Sequence, residues 1–441
     1  MLRRTAGSCS SQSRSPMIYR LYELSRALAM PAESMAAAGA RLFSEPGSWF
    51  AALPGAPRVA AGYQLLYRIS KTYDKPAFGI EAVEAHGATV AVVEETTLSK
   101  PFCLLKHFKR QGGRPEIDAA LAADPVVLLV APLSGHHATL LRDTVRTMLG
   151  NHDVYVTDWI DARTIPVDQG AFTLDDYVGY VREFMRTAGV ERLHVIAVCQ
   201  PAVPVLEATA LAASAGEPQP RSVTLMGGPI DTRRSPTTVD EFATGHSLSW
   251  FETYLIDEVP SQYPGRGRRV YPGFLLHAGF MALNPFRHIG SHWDFYRHLV
   301  QGDLNDAEEH RRFYDEFNAV MDLPAEYYLD CIRVIFQQHL LPRGLLHVCG
   351  VRVAPEAITR SALLTIEGAL DDISGPGQTR AAHELCTGIP GDRKHHLTVE
   401  GAGHYGIFSG RRWRGTVYPQ LRQFIADADA VADSVRRSRS G

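Results

Sequence analysis

Features typical of membrane, secreted and dinucleotide-dependent proteins are missing from this sequence. No run of about 18 consecutive apolar residues occurs, so a membrane-spanning helix is not expected. The segment 1–16 is rich in Arg and Ser and lacks an apolar core, so a secretory signal is not expected either. No Gly-x-Gly-x-x-Gly motif follows an early strand, which argues against a dehydrogenase.

Cysteine pairs and a basic charge excess are also absent. The formal net charge is −3, from 45 basic and 48 acidic residues, so no basic field is available for nucleic acid. No two cysteines form a Cys-x-x-Cys pair, and the His and acidic residues lack ligand spacing, so neither a disulfide framework nor a metal site is expected. Reduced, cytoplasmic thiols are the simplest interpretation. The six cysteines are Cys9, Cys103, Cys199, Cys331, Cys349 and Cys386.

A βαβ rhythm begins near residue 126. Val126–Val130 is a continuous apolar run, as expected of a strand buried on both faces, and helical and strand patterns then alternate as far as 226. The rhythm stops for about 130 residues and resumes with a strand at 362–366 and a helix at 379–386. This pattern predicts an α/β protein with a doubly wound, mostly parallel sheet and a large insertion.

The chain is therefore divided into five segments. A disordered extension is predicted at 1–16, N-terminal helices and the first part of the core at 17–230, a cap at 231–355, the rest of the core at 356–426 and a disordered tail at 427–441. The cap holds 18 of the 40 aromatic residues. That enrichment suits a cover over a site or a contact with an apolar partner, although a helical cap also needs a core of its own.

A nucleophile is predicted at Cys199, one residue past the apolar strand Leu193–Val198 and just before a helical pattern. A strand–nucleophile–helix turn presents its side chain at the carboxyl edge of the sheet. The helix N-terminus stabilises an anion and so favours the thiolate. The backbone N–H of Gln200 would point at a developing oxyanion. A small buried apolar role for Cys199 is the alternative.

A base and an acid follow in the order that α/β-hydrolases use. His404 lies between glycines directly after the last predicted strand, where a loop can carry an imidazole over the sheet edge. Asp371 and Asp372 follow the strand at 362–366, where the acid that orients the histidine commonly lies. The pattern alone does not separate these two aspartates.

A second oxyanion donor is expected in the loop 131–137. Leu133 or Ser134 could supply a backbone N–H, and Ser134 lacks the turn that a nucleophile needs. His136 is either a site histidine or the start of the next helix. One departure from the usual Gly-x-nucleophile-x-Gly pattern stands out, because Ala197 and Pro201 occupy the two glycine positions.

Six stretches are more specific than the spacing of these candidates: 131–136, 140–148, 156–159, 198–201, 226–231 and 403–413. In them the chain resembles the intracellular poly(3-hydroxybutyrate) depolymerases, relatives of the polyhydroxyalkanoate synthases, over residues 17–426. The resemblance implies an α/β-hydrolase fold and a triad of Cys199, Asp371 and His404. It thereby favours Asp371 over Asp372, and it implies amorphous storage granules as the substrate.

The sequence thus predicts a depolymerase that cleaves the polyester through a thioester on Cys199, with water or coenzyme A as the acyl acceptor and no cofactor. The granule surface is the expected partner, contacted by the aromatic cap, in the cytoplasm; a homodimer is compatible with the sequence. Two other functions are weighed against this one: a synthase-like acyltransferase and a granule-binding protein without activity.

Overall fold

The computed structural model describes residues 17–440, of which 435–440 are described by their helical backbone alone. The extension predicted to be disordered at 1–16 lies outside the described residues. Among the described helices, none has both the length and the apolar character needed to cross a membrane.

The described residues form one large sheet and two small ones. The strands are β1 Ala82–Ala85, β2 Ala88–Ser99, β3 Cys103–Gln111, β4 Val126–Val130, β5 Asp153–Trp159, β6 Leu193–Val198, β7 Ser222–Met226, β8 Asp257–Glu258, β9 Arg269–Tyr271, β10 Leu323–Pro324, β11 His347–Val348, β12 Val351–Arg352, β13 Ala362–Gly368 and β14 Lys394–Val399.

The large sheet has the order β1-β2-β3-β5-β4-β6-β7-β13-β14. Neighbours from β1 to β5 pair antiparallel, whereas every pair from β5 to β14 is parallel. The exchange of β4 and β5 and the long excursion between β7 and β13 are those of an α/β-hydrolase with a cap insertion. The predicted fold class is therefore confirmed.

Strand β6 shows why the centre of the sheet is mainly apolar. Leu193, Val195 and Ala197 pack into the core on one face of the sheet, while Ile196 and Val198 pack into the core on the other. Alternate side chains of a strand point to opposite faces, so a strand covered by helices on both sides is apolar at most positions. The exception, His194, is buried but hydrogen-bonded to Ser222 and Asp429.

The helices are α1 Met17–Ser44, α2 Ala56–Ser70, α3 Pro115–Ala123, α4 Arg142–Met148, α5 Leu174–Thr187, α6 Ala202–Ser214, α7 Thr238–Gly245, α8 Leu248–Tyr254, α9 Gly273–Leu283, α10 Pro285–Gln301, α11 Leu304–Asn318, α12 Ala325–Asp330, α13 Ala382–Leu385, α14 Gly410–Arg412 and α15 Tyr418–Ser440. A π-helical segment, Cys331–Gln337, continues α12, and another, Trp413–Val417, precedes α15. Helix α6 is the central one, with its side chains buried from Ala202 to Ala212.

The cap helices α7–α12 share the main core with the sheet. Tyr327 and Cys331 belong to the same buried cluster as strand β6, while a smaller cluster of Ala243, Phe251 and Ile332 lies within the cap itself. The cap therefore has a small core of its own and is also packed firmly onto the nucleophile side of the sheet.

Helices α1 and α2 form a hairpin. The ring of Phe43 stacks on that of Tyr63 at 6.0 Å between centroids, and a β-carbon on Gly39 would lie 2.7 Å from the Tyr63 ring. Tyr19 is fully buried, and its hydroxyl donates a hydrogen bond to Asp322, which fixes the start of α1 against the cap.

Two segments differ from the sequence-based expectation. The tail predicted to be disordered from 427 continues α15 as far as Ser440. Asp429 holds it in place, because its carboxylate accepts a hydrogen bond from His194 at 3.1 Å and forms an ion pair with Arg221. The helix predicted at 379–386 is limited to α13, because the Thr379 hydroxyl donates to the Gly228 carbonyl at 3.0 Å and holds its segment to the β7 loop.

Candidate active site

The turn after β6 holds Cys199 in a left-handed conformation, with φ of 68°. This region is uncommon for a residue other than glycine and is the signature of a sharp strand-to-helix turn that exposes one side chain. The Cys199 N–H donates to the Met226 carbonyl at 2.7 Å, and its carbonyl accepts from the Ala202 N–H at 3.1 Å. Both backbone groups are thus satisfied, and the half-buried thiol is presented at the carboxyl edge of the sheet.

The neighbouring loop supplies the space that the missing glycines would give. A β-carbon on Gly228 would lie 2.1 Å from the β-carbon of Ala202 and 2.8 Å from the Cys199 carbonyl oxygen. The close approach at this turn is therefore made possible by a glycine on the loop after β7, so that Pro201 can occupy the position where the usual pattern has glycine.

His404 and Asp371 form a buried pair beside this turn. The His404 Nδ1 donates to the Asp371 Oδ2 at 2.8 Å, and the Asp371 Oδ1 accepts from the backbone N–H groups of Ile373 and Ser374, each at 2.9 Å. Three hydrogen bonds fix the carboxylate, and the carboxylate fixes the imidazole ring.

The Cys199 side chain lies close enough to the imidazole of His404 for a charge on it to act on the ring. Burial lowers the pKa of His404, but the negative charges of Asp371 and Cys199 outweigh burial and raise that pKa well above its ordinary value. The site therefore favours a protonated imidazole next to the nucleophile candidate.

The second aspartate has a different partner. Asp372 accepts a hydrogen bond from the side-chain amide of Asn284, at the junction of α9 and α10 in the cap. The choice that the sequence pattern left open is thus resolved in geometry, since it is Asp371 that contacts His404.

The predicted oxyanion donors lie on two segments near the nucleophile. Within the described chain, no backbone–backbone hydrogen bond uses the N–H groups of Gln200, Leu133 or Ser134. Gly135, the residue after Ser134, holds the 131–137 loop in place, because its carbonyl accepts from the Met321 N–H at 2.8 Å. Both segments therefore keep donors free for a substrate oxygen.

His136 contacts the cap. Its Nε2 donates to the Phe317 carbonyl at 3.1 Å, and its ring packs against Phe280 and Phe317 with centroids 5.3 Å away. Burial lowers the pKa of His136 to about 4, so the ring is neutral near pH 7. These contacts make His136 a link between the 131–137 loop and the cap.

A cavity of about 220 Å³ leads from the cap to His404. Its core side is formed by Asp372, Ile373, His404 and Tyr405. Its cap side, from α9, α10 and α11, is mainly aromatic and consists of Phe280, Leu283, Asn284, Arg287, His288, Ser291, Phe313, Tyr314 and Phe317. The space is suited to an apolar group of small size next to the histidine.

Sequence reasoning missed one buried carboxyl behind the nucleophile. Glu207 on α6 is fully buried, and neither of its carboxyl oxygens has a hydrogen-bond partner. Burial, with a smaller effect of Asp175, raises its pKa from 4.5 to about 8. The signal in the sequence was a single charge inside an otherwise apolar helix.

Glu207→Gln should stabilise the protein. Because the folded-state pKa is the higher one, the folded state holds a proton that the unfolded state loses above pH 4.5, so stability falls as pH rises from about 4.5 to 8. Removing this penalty is expected to add about 3 kcal/mol to the free energy of unfolding at pH 7. Denaturant titrations at pH 5 and pH 8 test it, with exposed Glu309→Gln as the control; a gain that does not grow with pH would contradict the assignment.

Comparisons with solved structures find distant similarities. The structures of a putative lipase from Acinetobacter baumannii AYE (11% identity, TM-score 0.40, 76% of this chain and 93% of that one) and a bromoperoxidase from Bacillus anthracis (11%, 0.44, 76% and 100%) are similar to the chain. A monoacylglycerol lipase from Paleococcus ferrophilus is similar at 13% identity, with a TM-score of 0.41 over 69% and 96% of the two chains. The fold assignment itself rests on the strand order.

No curated protein sequence matches the chain. Residues 227–429 match the family model described as "PHB de-polymerase C-terminus". This region contains the cap, Asp371 and His404, and begins 28 residues after Cys199. The strand order thus gives the chain the α/β-hydrolase fold, and residues 227–429, slightly less than half of the chain, are similar to the PHB depolymerase family.

Proposed function

We propose that the protein depolymerises poly(3-hydroxybutyrate) through a covalent thioester on Cys199, at the surface of cytoplasmic storage granules. The observation that carries this proposal is the placement of Cys199, in a left-handed turn at the carboxyl edge of the sheet, beside His404 and its hydrogen-bonded partner Asp371. The family whose model residues 227–429 match supports the polyester as the substrate class.

In the first half of the reaction, the Cys199 thiolate attacks the carbonyl carbon of a polymer ester. The negative charge moves to the carbonyl oxygen, where the Gln200 N–H and an N–H of Leu133 or Ser134 stabilise it. When the tetrahedral intermediate collapses, the C–O bond breaks and the imidazolium of His404 gives its proton to the leaving alkoxide. The products are a shortened chain with a free hydroxyl and a hydroxyacyl thioester on Cys199.

In the second half, neutral His404 takes a proton from water as the water oxygen attacks the thioester. The C–S bond breaks, the acid is released, and Cys199 leaves as the thiolate next to imidazolium His404. Coenzyme A can replace water in the same step, because its thiol also loses a proton to His404; the product is then a hydroxyacyl-CoA. Asp371 orients His404 through the 2.8 Å bond in both halves of the reaction.

The cavity beside His404 suits the leaving-group side of the ester, since His404 protonates that side. Apart from histidines, Arg287 is the one basic and Asp372 the one acidic residue among the described residues that line it, and the Asp372 carboxylate already accepts from Asn284. The positive charge of Arg287 is near enough to Tyr314 and Tyr405, which line the same cavity, to oppose the rise that burial causes in their pKa. When the ester at the acid end of a chain is cleaved, Arg287 can bind the free carboxylate of the leaving unit.

Arg287→Gln should therefore raise the KM for a free-acid dimer of 3-hydroxybutyrate by about ten-fold. A change of this size is expected because the variant loses one charged hydrogen bond that solvent partly screens. The dimer's methyl ester, which has no carboxylate, should be hydrolysed as by the wild type. Arg287→Lys keeps the charge and is the matched control. Equal losses on acid and ester would show that Arg287 shapes the cavity and does not bind the carboxylate.

The proposal is tested by incubating the purified protein with amorphous poly(3-hydroxybutyrate) particles, with and without coenzyme A. We expect soluble 3-hydroxybutyrate species to be released, and dependence on coenzyme A identifies the acceptor. Polymer growth from 3-hydroxybutyryl-CoA without any release would identify a synthase instead. Binding to the particles without turnover would identify a granule protein that has no activity.

A further inference from the structure

The hairpin of α1 and α2 has an unusually apolar surface. Of the 26 large apolar side chains that are exposed in the described chain, 13 lie within residues 17–70. Scattered exposed apolar residues are normal, but a concentration of this kind on one supersecondary unit marks a contact surface.

Helix α1 has two apolar faces, of which one is used inside the protein. Tyr19, Ala36 and Ala40 are buried, and Phe43 stacks on α2. The other stripe repeats at alternating steps of four and three residues from Met17. Met17 precedes the buried Tyr19 by two positions, which turns its side chain by roughly 200° around the helix axis, so the stripe lies on the opposite side of the helix. Its large members, all exposed, are Met17, Leu21, Leu24, Leu28, Met35 and Leu42.

Exposed aromatic side chains also lie at the hairpin tip and on α10, the helix that carries part of the cavity wall. At the tip of the hairpin, Trp49 is 89% exposed. Helix α10 packs beside α2, where the guanidinium of Arg68 lies 5.8 Å from the Phe295 ring. The first turn of α10 carries Phe286, which is 86% exposed, next to the cavity residue Arg287.

No position of the α1 stripe itself, from Met17 to Leu42, is acidic. The positions that flank the α1 stripe carry Arg20, Arg41 and otherwise small or apolar residues. The acid Glu23 is directed inward and accepts from the Tyr263 hydroxyl at 2.6 Å. A neutral surface that offers ester carbonyl acceptors is complementary to such a face, since arginine and tryptophan N–H groups can donate to those carbonyls.

A second copy of the chain fits the stripe less well. Helices that pair through a stripe of this spacing interlock large side chains at every position. Here Pro31 and Ala38 occupy two of the stripe positions, so a paired helix would meet gaps. Trp49 and Phe286 would also remain uncovered by such a pair. An amorphous polymer surface adapts to these gaps.

We propose that this face, formed by the α1 stripe, the hairpin tip at 49–53 and the exposed residues Phe286, Ile289 and Trp293 of α10, docks the enzyme on a water-insoluble polyester surface. The inference rests on the proposed function and names its anchoring surface. Docking through this face brings the entrance of the cavity at α10 to the polymer, so that a chain segment can reach His404 without leaving the surface.

The test compares the full chain with the variant Leu21→Gln/Leu24→Gln/Leu28→Gln. Co-sedimentation with amorphous poly(3-hydroxybutyrate) particles should fall at least about ten-fold, because three apolar side chains leave the contact, and hydrolysis of the particles should fall with it. Hydrolysis of the soluble methyl-ester dimer should stay within about two-fold of the wild type, because the variant leaves the site intact. Exposed Val167→Gln/Leu345→Gln/Val351→Gln is the matched control and should behave as the wild type.

Several results would overturn the docking surface. One is unchanged particle binding by the α1 variant, and another is an equal loss in the control variant. A change from dimer to monomer in light scattering would assign the stripe to a second copy, and equally strong, stripe-dependent binding to phosphatidylcholine vesicles would assign it to lipid. Failure of the proposed function is distinguishable, because wild-type protein would then bind the particles through the stripe without releasing 3-hydroxybutyrate.

Discussion

Cys199→Ala is expected to reduce ester hydrolysis by about 10⁴-fold or more, since the reaction loses its nucleophile and the thioester cannot form. The oxyanion donors and the cavity remain in the variant, so a small residual rate and normal binding of polymer particles are expected. Initial rates on the soluble methyl-ester dimer measure the effect without any contribution from surface binding.

The fold of this variant needs a separate check, because Cys199 has a φ of 68°. Cysteine already bears the cost of this conformation, about 1–2 kcal/mol, and alanine has the same β-carbon, so the unfolding temperature should stay close to that of the wild type. Cys199→Ser is the conservative control, with the shape of the turn retained and the thiol replaced by a much weaker acid. A Cys199→Ala variant that folds and hydrolyses the dimer at the wild-type rate would rule out the proposed mechanism.

The second large effect separates the two adjacent aspartates. Asp371→Asn should lower kcat by about 10³–10⁴-fold, because the amide cannot stabilise an imidazolium and leaves His404 in the wrong tautomer. Asp372→Asn should change kcat by no more than about three-fold, since its carboxylate contacts Asn284 and not the histidine. The two variants differ by one position in the chain and are matched in chemistry.

The same pair of variants changes the titration of His404 in a defined direction. The anion of Asp371 and the thiolate raise the pKa of His404, so in the wild type the ring stays protonated at pH values above its ordinary range. Asp371→Asn removes one of these anions, so the pKa should fall, and with it the fraction of imidazolium at neutral pH. Histidine NMR signals followed against pH measure this; an unchanged pKa, or equal activity of the two variants, would contradict the role of Asp371.

Much of the fold could be predicted because the signals are local. Strands β4 and β6 have the predicted bounds, because burial on both faces favours apolar residues at nearly every position; only His194 is polar, and it is hydrogen-bonded. The turn at Cys199 could be located in the same way, because a nucleophile candidate between a buried strand and a helix has few other structural uses. Its missing glycines could not be explained from the sequence, since the space is provided by Gly228, on a different strand loop.

The rest depends on contacts between distant parts of the chain. The choice between Asp371 and Asp372 depends on which carboxylate meets a histidine 33 residues away, and no local pattern records that. The last helix continues past Ala426 because Asp429 is held by Arg221 and His194 near the other end of the sheet. The catalytic roles of Cys199, Asp371 and His404 are still predictions, and the geometry makes them direct ones to test.

The measurement that tests the central claim most directly is mass spectrometry of the enzyme after a rapid acid quench during turnover of the methyl-ester dimer. The proposed mechanism predicts one 3-hydroxybutyryl group on the peptide that contains Cys199. Neutral hydroxylamine should release this group, as expected of a thioester, and the group should be absent from Cys199→Ala. An acyl group on another residue, such as Ser134, or turnover in Cys199→Ala without any covalent intermediate, would contradict it.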